Sequence, residues 1–402
     1  MSQIHRTAPD LLPTIDRIAS SYTPQGRGFG FYVHVPFCAS RCGYCDFNTY
    51  TAAELGSAVR VSRHNYVEYV CAEIDRAARC FDEPPTIDTI FFGGGTPTLL
   101  PAADLVAIVD RLAAAFGLAD DVEVTTEANP ESVDRDYLAT LRSGGFNRVS
   151  IGMQSTASRV LRVLERSHTP GRALEVVDEA RGAGFDHVSL DLIYGTPGET
   201  AEDFAATLRA AAATDIDHLS AYSLIVEPGT ALARRVRAGE VPQPSDDVAA
   251  DRYLAAEEIL SQSGFSWYEV SNWARGEEGR CRHNVLYWDG GHWWGAGPGA
   301  HSHLPGIRWW NVKHPATYGQ RLADGLAVDD GEELTDSDHY LETIMLRTRL
   351  STGLPLQLLS REARAVADRL ADDGLVVIGD GRLRLTLRGR LLADAVIRDL
   401  TV

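Results

Sequence analysis

The sequence predicts an α/β protein whose core is an open, partial (β/α)6 barrel and whose C-terminal region is mostly helical. Three observations support this fold class. Six short apolar runs, rich in β-branched residues, follow one another over the first 226 residues. Segments with helical periodicity, about 10–15 residues long, separate them, which is typical of parallel βαβ units. Six such units are too few to close an eight-stranded barrel, so an open one is expected.

The predicted strands and helices alternate along the chain. The strands are FYVHV (31–35), IDTIFFGG (87–94), VEVTTEAN (122–129), RVSIGMQ (148–154), HVSLDLIYG (187–195) and HLSAYSLIV (218–226). The helical segments include NYVEYVCAEIDRAARC, AADLVAIVDRLAAAFG, DRDYLATLRSGGF, SRVLRVLERS, RALEVVDEARGAGF and EDFAATLRAAAATD. In a barrel of this kind the chemistry gathers at the C-terminal strand ends. Cysteines follow the first predicted strand, GGGTP ends the second and EANPE ends the third.

A helix ending in Gly-Phe before a strand recurs three times. It appears as SGGFNRVSIG, GAGFDHVSLD and SGFSWYEVSN. We expect each glycine to end its helix and each phenylalanine to enter the core.

The chain divides into four predicted regions. Residues 1–28 are expected to form a poorly ordered N-terminal arm, and 29–260 the partial barrel. Residues 261–335 form a connecting region that contains all seven tryptophans and five of the twelve histidines. Residues 336–402 contain helical patterns and an Ile-Gly-Asp-Gly-Arg hairpin signal. That order resembles a winged-helix module, but the acidic charge of the chain favours a helical cap packed on the barrel.

Composition excludes several classes of function. The net charge is −18, from 56 acidic and 38 basic residues, which argues against non-specific nucleic-acid binding because that requires a basic face. A local basic patch remains compatible with this charge. No apolar run reaches the roughly 18 residues of a membrane span. The first 20 residues have no apolar core of signal-peptide length, so a cytoplasmic location is expected. Six cysteines are too few for a disulfide scaffold, and clustered ones are more typical of metal ligands or catalysts.

Three cysteines form the most informative motif, C-x3-C-x2-C at Cys38, Cys42 and Cys45. A structural zinc site or a ferredoxin cluster needs four ligands. Cys71 and Cys80 lie on an amphipathic helical segment and are interpreted as buried apolar residues. Three thiolates on a four-iron cluster leave one iron open for another ligand. His34 is an alternative fourth ligand, but its position inside a strand favours a structural role.

The motif CASRCGYC, with an aromatic residue before its last cysteine, resembles that of the radical S-adenosylmethionine enzymes. The resemblance implies a 4Fe–4S cluster whose open iron is chelated by the methionine amino and carboxylate groups. The cofactor then carries the radical chemistry, while the protein supplies position and electrostatics. It also implies that the loop Gly93–Pro97 contacts the methionine amino group, because glycines allow close approach of backbone to ligand.

The chain resembles the oxygen-independent coproporphyrinogen III oxidase family more closely still, over about residues 30–400. The motifs are YVHVPFC, FFGGGTPTLL, TTEANPE, GFNRVSIGMQS, LERSHTP and LDLIYGTPGET. The resemblance implies S-adenosylmethionine contacts at Tyr32, Tyr44, Gly94, Gly95, Thr96, Glu127, Gln154, Arg166 and Asp191. Structural alternatives are an ion pair inside the barrel for Asp191 and a strand-end cap for Gln154.

Two departures point to a different branch of that family. Oxidases continue the cysteine motif with a fourth cysteine, where this chain has Phe47. Downstream, His283, Asn284, Tyr287 and Trp288 form an HNxxYW motif similar to that of the HemW-like heme chaperones.

This second resemblance implies heme as a third cofactor. Heme would bind at the HNxxYW residues, with His283 as axial ligand, since neutral imidazole is a common heme-iron ligand. Cys281 is an alternative ligand, although a partly buried thiol is the simpler interpretation. His301, in GAGPGAHSHL, is predicted to face S-adenosylmethionine or heme. About half of the tryptophans are expected to be core residues rather than part of a heme surface.

The resemblance implies a protein that binds heme and passes it to a heme-accepting protein, with an electron donor for its cluster. An oxygen-independent coproporphyrinogen III oxidase is the alternative, and a radical enzyme with another substrate is a third. Phe47 and HNxxYW separate the first hypothesis from the second.

Overall fold

The computed structural model describes residues 4–24, 26, 28–56, 62–166, 169–325 and 327–401. Its strands are β1 (Ile4–Thr7), β2 (Phe29–Val35), β3 (Phe37–Cys38), β4 (Tyr50–Thr51), β5 (Ile87–Gly94), β6 (Leu118–Ala128), β7 (Arg148–Gln154), β8 (His187–Tyr194), β9 (His218–Ser223), β10 (Ser266–Glu269), β11 (Asn272–Ala274), β12 (His292–Ala296), β13 (His301–Leu304), β14 (Ile307–Asn311), β15 (Val328–Glu333), β16 (Leu354–Pro355), β17 (Val376–Gly379) and β18 (Arg382–Leu385).

Helices cover the sheet and form most of the C-terminal region. They are α1 (Ala8–Ser20), α2 (Ala52–Leu55), α3 (Tyr66–Arg79), α4 (Ala102–Phe116), α5 (Arg135–Ser143), α6 (Ser158–Val163), α7 (Arg172–Gly182), α8 (Ala201–Ala212), α9 (Ala231–Arg237), α10 (Asp246–Gln262), α11 (Arg282–Trp288), α12 (Pro315–Ala323), α13 (Asp336–Arg347), α14 (Arg361–Asp372), α15 (Leu387–Leu391) and α16 (Ala393–Leu400). None of these helices combines the length and hydropathy needed to cross a membrane.

The predicted partial barrel is confirmed. Strands β2, β5, β6, β7, β8 and β9 are neighbours in that order and run parallel. Their outward residues, such as Ile90, Val149 and Leu190, are fully buried beneath the helices. The inward residues that alternate with them are largely polar, so each strand is apolar on one face only.

Further strands extend this sheet at both edges to thirteen strands. Strand β12 runs parallel to β2, whereas the pairings beyond β12 and beyond β9 are antiparallel. Beyond β2 lie β12, β13, β14, β15 and finally β1, while β11 and β10 follow β9. The expectation of a poorly ordered N-terminal arm is therefore wrong for residues 4–20. Strand β1 pairs with β15, and α1 buries Leu11 and Ile15 completely. Those apolar residues recur at helical spacing, a signal that the polar composition of the segment obscured.

The three Gly-Phe turns have the predicted conformation. Gly145, Gly184 and Gly264 have φ of 93°, 90° and 84°. The phenylalanines that follow them are buried at 0 to 3 % exposure. The left-handed residue ends each helix, and its apolar neighbour seals the turn against the core.

The C-terminal region has a core of its own, which includes Leu354, Leu370 and Val396. The predicted hairpin is present as β17 and β18, and β16 completes a three-stranded antiparallel sheet. The order of helices and hairpin in this region is the one expected for the winged-helix alternative. The region also packs against the barrel. Arg390 joins the two by a hydrogen bond of 2.8 Å to Glu257 on α10.

A buried carboxylate, Glu73 on α3, links the barrel to the strands that extend the sheet beyond β2. It accepts hydrogen bonds from the Gly297 amide at 2.8 Å, from Asn311 Nδ2 at 2.6 Å and from the Tyr318 hydroxyl. Burial raises the pKa of Glu73 to about 7, although these three donors act in the opposite direction.

This shift gives a prediction about stability and pH. The folded protein keeps a proton on Glu73 in a range where an unfolded chain, with a glutamate pKa of 4.5, has lost it. The free energy of unfolding should therefore fall as pH rises from 4.5 towards 7, by up to about 3 kcal/mol. Chemical denaturation of wild type and Glu73→Gln at several pH values measures this. The difference between them should change over that window, and a constant difference would contradict the prediction.

Candidate functional site

A cavity of about 630 Å³ opens at the C-terminal ends of the barrel strands. It collects most of the predicted site residues, although these come from widely separated parts of the chain. The predicted residues that line it are Tyr32, Cys38, Cys42, Tyr44, Cys45, Gly94, Gly95, Thr96, Glu127, Gln154, Arg166, Asp191, His283, Asn284 and Tyr287. Trp288 and His301 are described in the structure but do not line this cavity.

The cysteine loop forms one wall of the cavity. Backbone hydrogen bonds fix it, from Cys45 N to Cys42 O at 3.2 Å and from Gly43 N to Leu164 O at 3.1 Å. Arg166 Nη1 donates to Cys42 Sγ at 3.3 Å. Burial, together with the neighbouring thiols, raises the pKa of Cys38 to about 11 and also raises that of Cys45. Cys38 and Cys45 therefore resist ionisation unless a cation binds beside them.

The thiols fit a multi-iron cluster better than a single ion. Among the described residues, no three His, Cys, Asp or Glu side chains form a group placed around one metal ion. In a four-iron cluster each thiolate binds a different iron, so its ligands need not converge on one point. Three soft donors beside a larger cavity are a suitable ligand set for such a cluster with one open iron.

His34 lies behind this loop and is not available as a fourth ligand in this arrangement. Its Nδ1 is 3.0 Å from the Tyr32 hydroxyl, and its Nε2 is 2.9 Å from the carbonyl oxygen of Asn48. With both ring nitrogens engaged, His34 supports the cysteine loop, consistent with the structural role predicted for it.

The glycine-rich loop at the end of β5 lies directly against the cysteine loop. Gly94 has a φ of 110°, in the region that favours glycine. A Cβ atom on Gly95 would lie 2.5 Å from the carbonyl oxygen of Phe37. The amides of Gly95 and Thr96 donate to backbone carbonyls of Val35 and Phe37 at 2.8 Å each. This close approach explains why glycines occupy both positions.

Polar side chains from β6, β7 and β8 form the opposite wall. Glu127 Oε2 accepts from the Gly94 amide at 3.2 Å, and Asp191 accepts from Ser150 Oγ at 2.9 Å. Burial raises the pKa of Glu127 to about 8, and the charge of Asp191 adds to the shift. A ligand that brings a cation or hydroxyl donors would stabilise both carboxylates in their ionised form.

Gln154 and Arg166 form a second polar pair on this wall. Arg166 Nε donates to Gln154 Oε1 at 2.8 Å. Gln154 has a φ of 60°, which is uncommon for a residue other than glycine. Backbone strain of this kind is typical of functional sites, because the surrounding structure has to maintain it. The guanidinium is positioned to pair with a carboxylate.

The HNxxYW motif forms helix α11, which closes the cavity beside β5. His283 is only 1 % exposed, and its ring stacks on Phe91 with centroids 5.3 Å apart. Its Nδ1 is 2.8 Å from Thr89 Oγ1 and its Nε2 is 2.8 Å from the Tyr287 hydroxyl. Both ring nitrogens are thus already engaged. Asn284 donates to Glu269 Oε1 at 3.0 Å and so helps to fix the helix.

A buried ion pair between Glu123 and Arg148, which was not predicted from the sequence, anchors this helix. Arg148 Nε donates to Glu123 Oε2 at 2.9 Å, and both side chains are almost fully buried. Glu123 also accepts from the amides of Arg282 and His283 at 3.0 and 2.9 Å. Burial opposes ionisation of Glu123, but Arg148 and these amides lower its pKa. The sequence signal that could have indicated this pair is a charged residue at an inward-facing position of each of two predicted strands.

Two other predictions concern the cysteine and tryptophan residues. Cys281 is buried with its sulfur 3.6 Å from Glu123, in keeping with a buried thiol. Trp273, Trp294 and Trp309 are fully buried core residues. The other four tryptophans, Trp267, Trp288, Trp293 and Trp310, are partly exposed.

Phe47 is the most unusual residue at the mouth of the cavity. Its side chain is 64 % exposed, as is that of Ile225, and both line the entrance. Large apolar side chains in such a position favour an apolar ligand or partner at the entrance.

Comparison with known proteins identifies the class of protein. Residues 32–211 match the radical SAM superfamily, and residues 334–392 match the HemN C-terminal domain. The solved structure of coproporphyrinogen III oxidase (HemN) from Escherichia coli is similar, with a TM-score of 0.81 and 25 % identity. The similarity covers 97 % of this chain and 93 % of that one. The fold and its cysteine loop are those of a radical SAM protein.

Curated relatives identify the family within this superfamily to which the chain belongs. The Mycobacterium tuberculosis protein named heme chaperone HemW is 51 % identical over 398 residues, 99 % of either chain. The Bacillus subtilis protein of the same name is 30 % identical, and the alignment covers 91 % of this chain and 97 % of the B. subtilis chain. This chain belongs to the HemW family of radical SAM proteins.

Proposed function

We propose that this protein is a heme chaperone, which binds heme and transfers it to an acceptor protein. It carries a 4Fe–4S cluster and S-adenosylmethionine in the barrel. The observation that carries the proposal is the convergence of three elements on one cavity. These are the three-thiol loop, the carboxylate and guanidinium wall, and the HNxxYW helix. The relatives named heme chaperone HemW support the same function.

Cys38, Cys42 and Cys45 would hold the cluster, leaving one iron for the amino acid part of S-adenosylmethionine. When bound, such a cluster would supply an electron for cleavage of the sulfonium. The glycine-rich loop lets the backbone approach the ligand, while Arg166 binds a carboxylate. Glu127 and Asp191 accept hydrogen bonds from an ammonium group or ribose hydroxyls. Tyr32 and Tyr44 provide aromatic surface at the sides of the cavity.

Phe47 argues against decarboxylation of coproporphyrinogen. A phenyl ring cannot bind iron or transfer a proton, and here it is exposed at the entrance. It offers apolar surface instead, which suits a porphyrin that has to arrive and leave. An oxygen-independent coproporphyrinogen III oxidase is the second candidate, favoured by the overall likeness to the E. coli oxidase.

We propose that the heme-binding region includes the HNxxYW residues predicted from the sequence, His283, Asn284, Tyr287 and Trp288. Axial ligation by His283 would require Nε2 to release the Tyr287 hydroxyl and turn towards the cavity. The proposal also includes an electron donor for the cluster, an acceptor protein and a cytoplasmic location.

An anaerobic assay of the cluster-reconstituted chain tests this function. We expect hemin to bind with one molecule per chain, measured by optical titration, and coproporphyrinogen III to remain unchanged with S-adenosylmethionine and a reductant. The E. coli oxidase serves as the positive control for conversion. Formation of protoporphyrinogen by this chain would overturn the chaperone proposal in favour of the oxidase.

A further inference from the structure

The inner face of the sheet continues from the cavity onto the strands that extend the sheet beyond β2. Gly295 on β12 pairs with the cavity residue Tyr32 on β2. On the other side of β12, Trp293 pairs with His303 on β13 in antiparallel register, which places Gly295 opposite His301. Residues directly opposite each other in a sheet point to the same face. His301 therefore lies on the cavity side, two strand spacings, or roughly 10 Å, from Tyr32.

Aromatic side chains cover this part of the face. Trp293 is paired with His303 across β12 and β13, with ring centroids 5.1 Å apart. Trp310 is paired with His301 across β13 and β14, with centroids 5.5 Å apart. Tyr287, which lines the cavity, packs edge-on against Trp293 at 4.5 Å. An aromatic face thus runs from the cavity wall to His301. We define the imidazole–tryptophan face as Trp293, His301, His303 and Trp310.

The histidines of the neighbourhood differ in whether an iron atom can reach them. His283 is buried and uses both nitrogens in hydrogen bonds. His303 is 7 % exposed and bonds the Gly291 carbonyl through Nδ1. His301 is exposed, and no hydrogen bond joins its ring to another side chain in the part of the chain that the structure describes.

A metal-bound histidine binds the metal through one ring nitrogen, and the exposed ring of His301 offers a nitrogen for this role.

Positive charge lies beside this imidazole in an otherwise acidic protein. Lys313 and Arg308 both act electrostatically on His301. Arg308 is paired with Glu332 and Glu342. Lys313, the only lysine in the chain, is exposed and has no carboxylate within ion-pair distance among the described residues. It can therefore pair with an acidic group of a ligand bound over the face, such as a propionate.

We propose that His301 is the axial ligand of the heme iron and that the macrocycle lies on the imidazole–tryptophan face, next to the barrel cavity. This inference rests on the proposed function, and it names the residue that binds the heme iron. A ligand exposed at the surface also suits transfer, because an acceptor protein can approach the iron without opening the barrel.

The experiment compares His301→Ala with wild type by titrating each full chain with hemin. Difference spectra and electron paramagnetic resonance report the ligand. We expect loss of the histidine-ligated signature and an affinity at least roughly tenfold lower, since even indirect partners of metal ligands contribute this much. Added imidazole should restore the signature. Metal-free protoporphyrin should bind both proteins within about twofold, because it offers no iron to coordinate.

Two further variants make the test decisive. His64→Ala changes another exposed histidine and should bind hemin as wild type does. If His283→Ala loses the signature and His301→Ala retains it, the inference is wrong, while heme binding by the chain stands. Equal loss of hemin and metal-free porphyrin in His301→Ala would also overturn it, since His301 would then act by packing. If wild type binds no hemin, the proposed function itself fails.

Discussion

Replacement of Cys42 by alanine should abolish the visible charge-transfer absorption of the anaerobically reconstituted protein. Cys42 is the middle cysteine of the loop, and its sulfur receives a hydrogen bond from Arg166. With only two thiolates left, and His34 engaged in other hydrogen bonds, a four-iron cluster would lose one of three protein ligands. Iron and sulfide analysis should show the same loss as the optical spectrum.

Cys71→Ala provides a matched control. Cys71 lies on α3, outside the cavity lining, and is a free, partly buried cysteine. The variant should incorporate iron and sulfide as wild type does. Full cluster incorporation by Cys42→Ala would show that the ligand assignment is wrong.

The second large effect is expected for Glu123→Ala. The substitution leaves the guanidinium of Arg148 buried without its carboxylate partner, and it removes the acceptor for the amides of Arg282 and His283. Breaking a buried ion pair by removing one partner typically costs about 3–5 kcal/mol. We expect a loss of that size in the free energy of unfolding, measured by chemical denaturation.

Glu202→Ala is the matched control for an exposed ion pair. Glu202 contacts Arg209 at 3.1 Å, but both side chains are largely exposed to solvent. Its removal should change the free energy of unfolding by less than about 1 kcal/mol. If Glu123→Ala proved no more harmful than this control, the buried pair would not anchor the helix as described.

The parallel core could be predicted from the sequence because its signals are local. Each strand is a short apolar run beside a helical segment, and Gly-Phe turns mark the transitions. The pairing of β1 with β15 could not be predicted in this way. The four residues of β1 carry no distinctive pattern, and their partner lies more than 300 residues further along the chain.

The parts of the site that lie in contiguous sequence motifs could be predicted from the sequence. The parts that come together only through the fold could not. The cysteine loop and the Gly94–Gly95 turn are contiguous in sequence, and both are found at the cavity. The position of α11 depends on Glu123 and Arg148, which lie about 130–160 residues before it. Likewise, the sequence alone does not show how accessible His283 and His301 are. The structure shows that His283 is buried and His301 is exposed.

The pairing of β1 with β15 also has a consequence for biosynthesis. Ile4 is synthesised more than 300 residues before its partner Glu333. During that interval β1 has no partner strand, and α1 has no sheet edge against which to bury Leu11 and Ile15. Removal of β1 would leave β15 with an open edge, and open edges recruit other strands into aggregates.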